Sequence, residues 1–304
     1  MKLVISHMTE YAYPSPVTDS VNEIRLSPFT NEHQSCYQHA ITVEPAASLF
    51  SYEDYYGNRV HAFSVNAPHR RLAIKTQMTV MTKLAARSKD LYSLMPAEAA
   101  WSSLQHEQIQ NRYAEFLLPT AYTMPLPEVQ AYLHTIPVAP DEGGSAANGL
   151  GTVGVYEWLS RLNGKIRADF VYDPAATDVQ STVAEIMQRR RGVCQDFAHL
   201  MLAVCRSKGV PARYVSGYHF VGDLQGGNAA FEQASHAWVE AYVPGEGWCG
   251  FDPTNDEPIG QRHVKLAHGR DYRDIVPVKG VYRGTGVQEL KVTVDVRNAE
   301  ERID

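Results

Sequence analysis

Ser235-His-Ala-Trp-Val-Glu-Ala-Tyr-Val-Pro-Gly-Glu-Gly-Trp-Cys-Gly-Phe-Asp252 reads as two strands joined by the turn Pro244-Gly-Glu-Gly. Its register follows from asking which pairing collects the apolar residues. A pivot on Pro244 puts Ala237, Val239, Ala241, Val243, Cys249 and Phe251 on one wholly apolar face. His236 then stands directly opposite Asp252 on the other. A one-residue slip would move the Asp252 carboxylate onto the apolar face, where an unpaired charge is costly. Cross-strand partners have Cβ atoms about 4.5 to 5.5 Å apart, so Asp252 is expected to accept the Nδ1–H of His236.

Upstream, Thr182-Val-Ala-Glu185 has the form of a capping box, predicting a short helix that runs to Arg190 and stops at Gly192. A second helix is predicted from Cys194. Phe197, Leu200, Met201, Val204 and Cys205 recur at intervals of three and four, and Gly209 and Pro211 end the pattern. Cys194 thus occupies the first turn, where unpaired backbone N–H groups and the positive end of the helix dipole favour an anion. It lies at the open end of the buried stripe, so a core-held helix would present it to a cleft. The thiolate is the nucleophilic form of cysteine, and a neighbouring imidazole promotes it.

Further out, Arg213 to Phe220 and the alternating Leu290-Lys-Val-Thr-Val-Asp-Val read as strands. From the start to about residue 85, short β-like runs such as Ile24-Arg-Leu, Ala40 to Val43, Val60 to Val65 and Leu72 to Thr76 alternate with turns, Tyr56-Gly57-Asn58 among them. Helical periodicity appears around Glu107 to Leu117, Glu128 to His134 and Tyr156 to Leu162. The expected organisation is an all-β, sandwich-like N-terminal domain (1–85), a helical connection (86–155) and an α+β core (156–304), with the C-terminal strand packing back.

Composition narrows the function classes. The 304 residues carry a net charge of −6 with pI near 6.1, which argues against nucleic acid or an anionic membrane surface as partner. The N-terminal apolar run is too short for a secretory signal, and no stretch approaches a membrane span, so a cytoplasmic location is expected. Cys36, Cys194, Cys205 and Cys249 are few and widely spaced, which suits reduced thiols. No CxxC or HxxxH spacing suggests zinc, and Cys194 and Cys205 would stand about 16 Å apart along one helix at 1.5 Å per residue, too far for one metal. No EF-hand loop is present. Neither metal nor cofactor is therefore expected, and nothing in the sequence bears on oligomeric state.

The segments Gly192-Val-Cys194-Gln-Asp-Phe-Ala-His-Leu-Met, Gly209-Val-Pro-Ala-Arg-Tyr-Val-Ser-Gly-Tyr, His236-Ala-Trp-Val-Glu and Gly247-Trp-Cys-Gly-Phe-Asp252-Pro-Thr-Asn resemble the bacterial transglutaminase-like family. Asn22-Glu-Ile-Arg-Leu-Ser-Pro and Gly269-Arg-Asp-Tyr extend the resemblance to the β region and the tail. It implies a papain-like α+β core in which Cys194, His236 and Asp252 form a triad acting on a peptide or protein substrate. Gln195, Tyr218, Trp238 and Trp248 are candidate substrate-binding residues. Hydrolysis of a peptide or amide bond is favoured, because the loop Gly222 to Gln233 has a mobile, glycine-rich centre and would leave the cleft open to water. Transamidation and a non-catalytic scaffold with this fold are the alternatives.

Overall fold

The computed structural model describes residues 1–83, 95–138, 153–176, 179–222 and 235–299. Its longest element is β1 (Lys2–Ile24), where alternate residues such as Leu3, Ile5, His7, Thr9 and Tyr11 are buried. That two-residue period is what a strand with one covered face requires. β2 (Gln34–Glu44), β3 (Phe50–Glu53), β4 (Arg59–Val65) and β5 (His69–Thr82) follow. Residues 2–12 of β1 pair with β5, whereas residues 20–24 pair with β4. One strand thus serves both halves of a single curled sheet, where the sequence suggested a sandwich of separate short strands. Gly57, at φ +78, makes the turn between β3 and β4, with the Asp54 carboxylate accepting the N–H groups of Tyr56 and Asn58.

Short helices α1 (Ala97–Leu104), α2 (Glu107–Arg112) and α3 (Pro127–Leu133) lead to α4 (Val155–Asp169), which is longer than its apolar pattern suggested. Then come β6 (Val171–Tyr172), α5 (Val183–Arg189), β7 (Arg191–Gly192) and α6 (Cys194–Ser207). The capping box is present: the Glu185 carboxylate accepts the Thr182 N–H at 2.8 Å. Arg190 closes α5 in the left-handed region at φ 55, two residues before the glycine expected to stop it.

α6 is buried along almost its whole circumference, from Gln195 to Arg206. One side packs on the antiparallel sheet formed by β8 (Ala212–His219), β9 (His236–Val243), β10 (Gly247–Phe251) and β11 (His263–Gly269), ordered β10-β9-β8-β11. α3, α4 and α5 cover the rest, so the predicted apolar stripe became a helix enclosed on all sides. Phe197, Leu200, Met201 and Val204 share one core with Ala237, Val239, Ala241, Cys249 and Phe251. Each fully buried large side chain there contributes about 1.5–3 kcal/mol relative to exposure.

β12 (Val278–Arg283) and β13 (Glu289–Asn298) leave the second sheet and pair with the two halves of β1. Chain beginning and chain end therefore meet in the first sheet. A second core forms where that sheet meets the back of the other, joining Leu3, Ile5, Leu72 and Ile74 to Tyr218, Phe220, Val264 and Leu266. Among the described residues, no helix is long and apolar enough to cross a membrane.

Candidate active site

Three elements converge on Cys194. The thiol stands at the start of α6, half-buried, where Val193 precedes the helix in extended conformation. Asp196 accepts the Val193 N–H at 2.8 Å, fixing the entry of the chain into the helix. The Asp196 and Phe197 amides are the first to bond back to the Val193 carbonyl, so the Cys194 and Gln195 amides precede the helical ladder and face the cleft end. Gly192 has to be glycine for packing, since a Cβ there would lie 2.6 Å from the Asp196 carboxylate.

β9 supplies His236, and the end of β10 supplies Asp252, with His236 Nε2 2.7 Å from Asp252 Oδ2. Two details differ from the sequence reading. Nε2, not Nδ1, faces the carboxylate, which leaves the other side of the ring for the Cys194 thiol, whose proximity helps keep the ring charged. The hairpin also pivots on Gly245, not Pro244: Gly247 pairs with Val243, and the ladder ends with Phe251 opposite Val239. Gly245 and Gly247 both take φ +86, a turn that only glycine adopts at little cost. Shifting the pivot by one residue moves every partner by two positions, so each side chain keeps its face. Asp252 therefore steps off the strand end on the His236 face, near His236 but not directly across from it.

Asp252 is held more fully than a two-residue pairing suggests. Oδ2 also accepts from His263 Nε2 at 3.2 Å and Asn255 Nδ2 at 2.9 Å, and Oδ1 accepts the Thr254 and Asn255 amides at 2.9 and 3.2 Å. Burial opposes its charge, but the bonds from His236, His263 and Asn255 outweigh burial and hold the carboxyl well below the usual carboxylate range. For His236, burial likewise disfavours the charged ring. Its bonds to Asp252 and Cys194 prevail, and its pKa is pushed up to about 10. The arrangement is a buried carboxylate, an imidazole that retains its proton, and a thiol at a helix start.

A cleft of about 390 Å³ opens over Cys194 and His236, with Gln195, Tyr172, Val179, Tyr214 and Tyr272 among its lining residues. Of the four candidate substrate-binding residues, the structure brings only Gln195 there, where its Nε2 donates to the Val179 carbonyl at 3.1 Å. Tyr218 lies two residues beyond Ser216 on β8, where β1 covers the strand, and it meets His7 Nδ1 at 2.8 Å. Trp238 is 1% exposed, its ring against Gly217 and His263. Trp248 is packed by Tyr113, Phe116 and the Arg213 guanidinium. Both tryptophans share the His236 side of the hairpin, but beyond His236 that side borders a separate hollow of about 130 Å³ beside Ile259 and Lys265, not the cleft over Cys194. Of the loop Gly222 to Gln233, residues 223–233 lie outside the described residues.

The sequence reading missed Asn255, His263, Tyr214 and Tyr272. Asn255 closes the Asp252-Pro-Thr-Asn segment, and the carboxylate capping the two following amides is the sort of Asx turn that Asp-Pro favours. His263 had no local signal, because β11 joins β8 through a pairing 44 residues away in sequence, His263 with His219.

Residues 3–81 match the bacterial transglutaminase-like N-terminal region, and residues 147–253 match the transglutaminase-like superfamily. An uncharacterized protein of Mycobacterium leprae (strain TN) is 37% identical over 298 residues, 97% of this chain and 98% of its own length. A Pseudomonas aeruginosa protein-glutamine gamma-glutamyltransferase is 36% identical over 99 residues, 32% of this chain and 14% of its own. The crystal structure of a candidate cysteine protease from Cytophaga hutchinsonii superposes with a TM-score of 0.72 at 22% identity, covering 100% of this chain and 92% of the other. Sequence and fold lead to one assignment: the chain belongs to the transglutaminase-like superfamily and carries that superfamily's bacterial N-terminal region.

Proposed function

We propose that the protein is a thiol enzyme that cleaves peptide or amide bonds through an acyl-enzyme. The observation that carries this reading is the convergence of Cys194, His236 and Asp252 from a helix start, a strand and a strand end beneath one cleft. The Cys194 sulfur attacks the carbonyl carbon, and the first-turn amides of Cys194 and Gln195 receive the developing oxyanion in this reading. His236 gives its proton to the departing amine as the C–N bond breaks, leaving a thioester. Water, losing a proton to His236, then attacks the thioester and frees the thiol. Asp252 keeps the ring oriented and stabilises its charged form throughout.

Water is the favoured acceptor because Cys194 is partly exposed to the cleft that it lines. Transamidation is the second reading, supported by the local match to the Pseudomonas transferase. Incubating the protein with a glutamine-containing peptide library, with and without a labelled primary amine, separates the two by product mass. Cleaved or deamidated peptides that disappear in Cys194→Ala are expected. Labelled amine on glutamine at a rate exceeding hydrolysis would replace the hydrolase reading, and no Cys194-dependent product of either kind would leave a scaffold.

A further inference from the structure

Beside Asp252 and His236, three potential metal ligands meet from separate segments. His219 ends β8, His263 begins β11, and Glu257 lies on the connection between Asp252 and β11. One ring nitrogen of each histidine and one carboxylate oxygen of Glu257 lie within 4.8 Å of one another. The two imidazole centroids are 4.6 Å apart with planes tilted by 30°, so one ring has to turn for both lone pairs to meet at one ion. We propose that His219, His263 and Glu257 bind a divalent transition-metal ion of the zinc type.

The hydrogen bonds say which atoms are available. His263 Nε2 donates to Asp252, so its lone pair is on Nδ1, where the one contact is from the Gly260 N–H at 3.4 Å. His219 Nε2 points instead at Glu257 Oε1, and its Nδ1 meets Asn255 Nδ2 only at 3.5 Å. Coordination through Nε2 moves the His219 proton to Nδ1, against that weak contact alone. The Glu257 carboxylate, partly exposed and with Arg262 3.8 Å from its other oxygen, has room to turn toward the ion. Zinc–ligand bonds of about 2.0–2.2 Å put tetrahedral ligands roughly 3.4 Å apart, which these side chains reach by closing and by a turn of one ring. Two imidazoles and a carboxylate are a zinc-type donor set that leaves a position for water.

A second group, His236, Asp252 and His263, also converges, but there Asp252 Oδ2 already receives three donors. Protons occupy that space. The outer group has the connection that metal-ligating histidines usually show, its ring donating the opposite N–H to a carboxylate. Here that carboxylate is Asp252, so an ion would lock His263 in the tautomer that supports it. The site itself does not depend on Cys194 being catalytic.

The test is Co²⁺ and Zn²⁺ binding to the full chain carrying Cys194→Ser, which removes the competing thiol. One Co²⁺ per chain is expected, with d–d absorption, no thiolate charge-transfer band, and the same affinity as the unsubstituted chain. His219→Asn and Glu257→Gln, checked for folding by circular dichroism, should each weaken binding at least about tenfold. The proposal is overturned if no ion binds, if binding vanishes with Cys194→Ser, or if it survives both ligand substitutions.

Discussion

A charged His236 and a charged Asp252 stabilise each other in a place where either alone is disfavoured by burial. The pH dependence of that stabilisation follows from proton counts. His236 has a folded pKa near 10, above the ordinary 6.5, so its contribution is full below about pH 6.5 and is lost as pH rises toward 10. The Asp252 pKa is depressed, so its contribution is present above about pH 4 and is lost on further acidification. Urea denaturation of the native chain should therefore show stability falling between pH 7 and 10, with a shallower slope in Asp252→Asn. An identical slope would mean that His236 does not keep its proton. The same variant removes the charge that stabilises the protonated ring, and Cys194-dependent turnover should fall by about a thousandfold or more, by analogy with other catalytic triads. Steady-state rates on a peptide found in the library screen would measure it.

The elements that carry Cys194, His236 and Asp252 are held to one another by close approaches that leave no room for an added atom. Gly217, on β8 opposite His236, is the tightest: a Cβ there would lie 2.1 Å from the Val264 carbonyl and 2.4 Å from the Trp238 ring. Gly217→Ala must separate β8 from β11 or displace Trp238, and we expect a loss of about 2 kcal/mol or more by urea denaturation. Gly164, inside α4, has nothing within 4 Å of its would-be Cβ. Gly164→Ala should instead stabilise by about 0.5–1 kcal/mol, because a helix interior favours alanine. Equal effects at the two positions would contradict the packing described. α6 is tied down at its other end by Arg206, whose buried guanidinium donates to the carbonyls of Phe116 and Ala212 and to Thr123 Oγ1. The helix that presents Cys194 is thereby anchored to the segment before α3 and to β8.

At the scale of the molecule, the two sheets share one core, and a buried histidine sits at their junction. His7 on β1 contacts Tyr218 Oη and Thr9 Oγ1, and burial pushes its pKa down to about 4. The unfolded chain, with the ordinary value near 6.5, binds the proton more readily. Stability should therefore decline as pH falls from 6.5 toward 4, and His7→Gln should flatten that decline in thermal melts. The C-terminal strand is as much part of the first sheet as β5. Val294 and Val296 are buried, and β13 covers one edge of residues 3–12 of β1. Deleting residues 284–304 bares that edge, and self-association by size-exclusion chromatography with light scattering is the expected result. A monomer with an unchanged melting temperature would show the strand to be dispensable. A fragment of residues 160–260 lacks β11, and with it His263 and the outer partner of β8, so it should not fold alone.

The sequence determined what is local or periodic. The α5 cap, the stripe of α6, Cys194 at its start and the apolar face of the hairpin all follow from intervals of two, three and four residues, and such intervals survive a displaced turn. That is why His236 and Asp252 share a face even though the pivot is Gly245. Tertiary structure decided what depends on distant segments meeting. Whether Tyr218, Trp238 or Trp248 borders the cleft over Cys194 depends on what packs against it, and the packing comes from β1, from β11 and from the segment around Phe116. His263 and His219 come beside Asp252 and His236 through the β8–β11 pairing, and β13 reaches β1 across almost the full length of the chain. Pattern records which face a residue takes along its own strand or helix, but it carries no record of which other element will lie against that face.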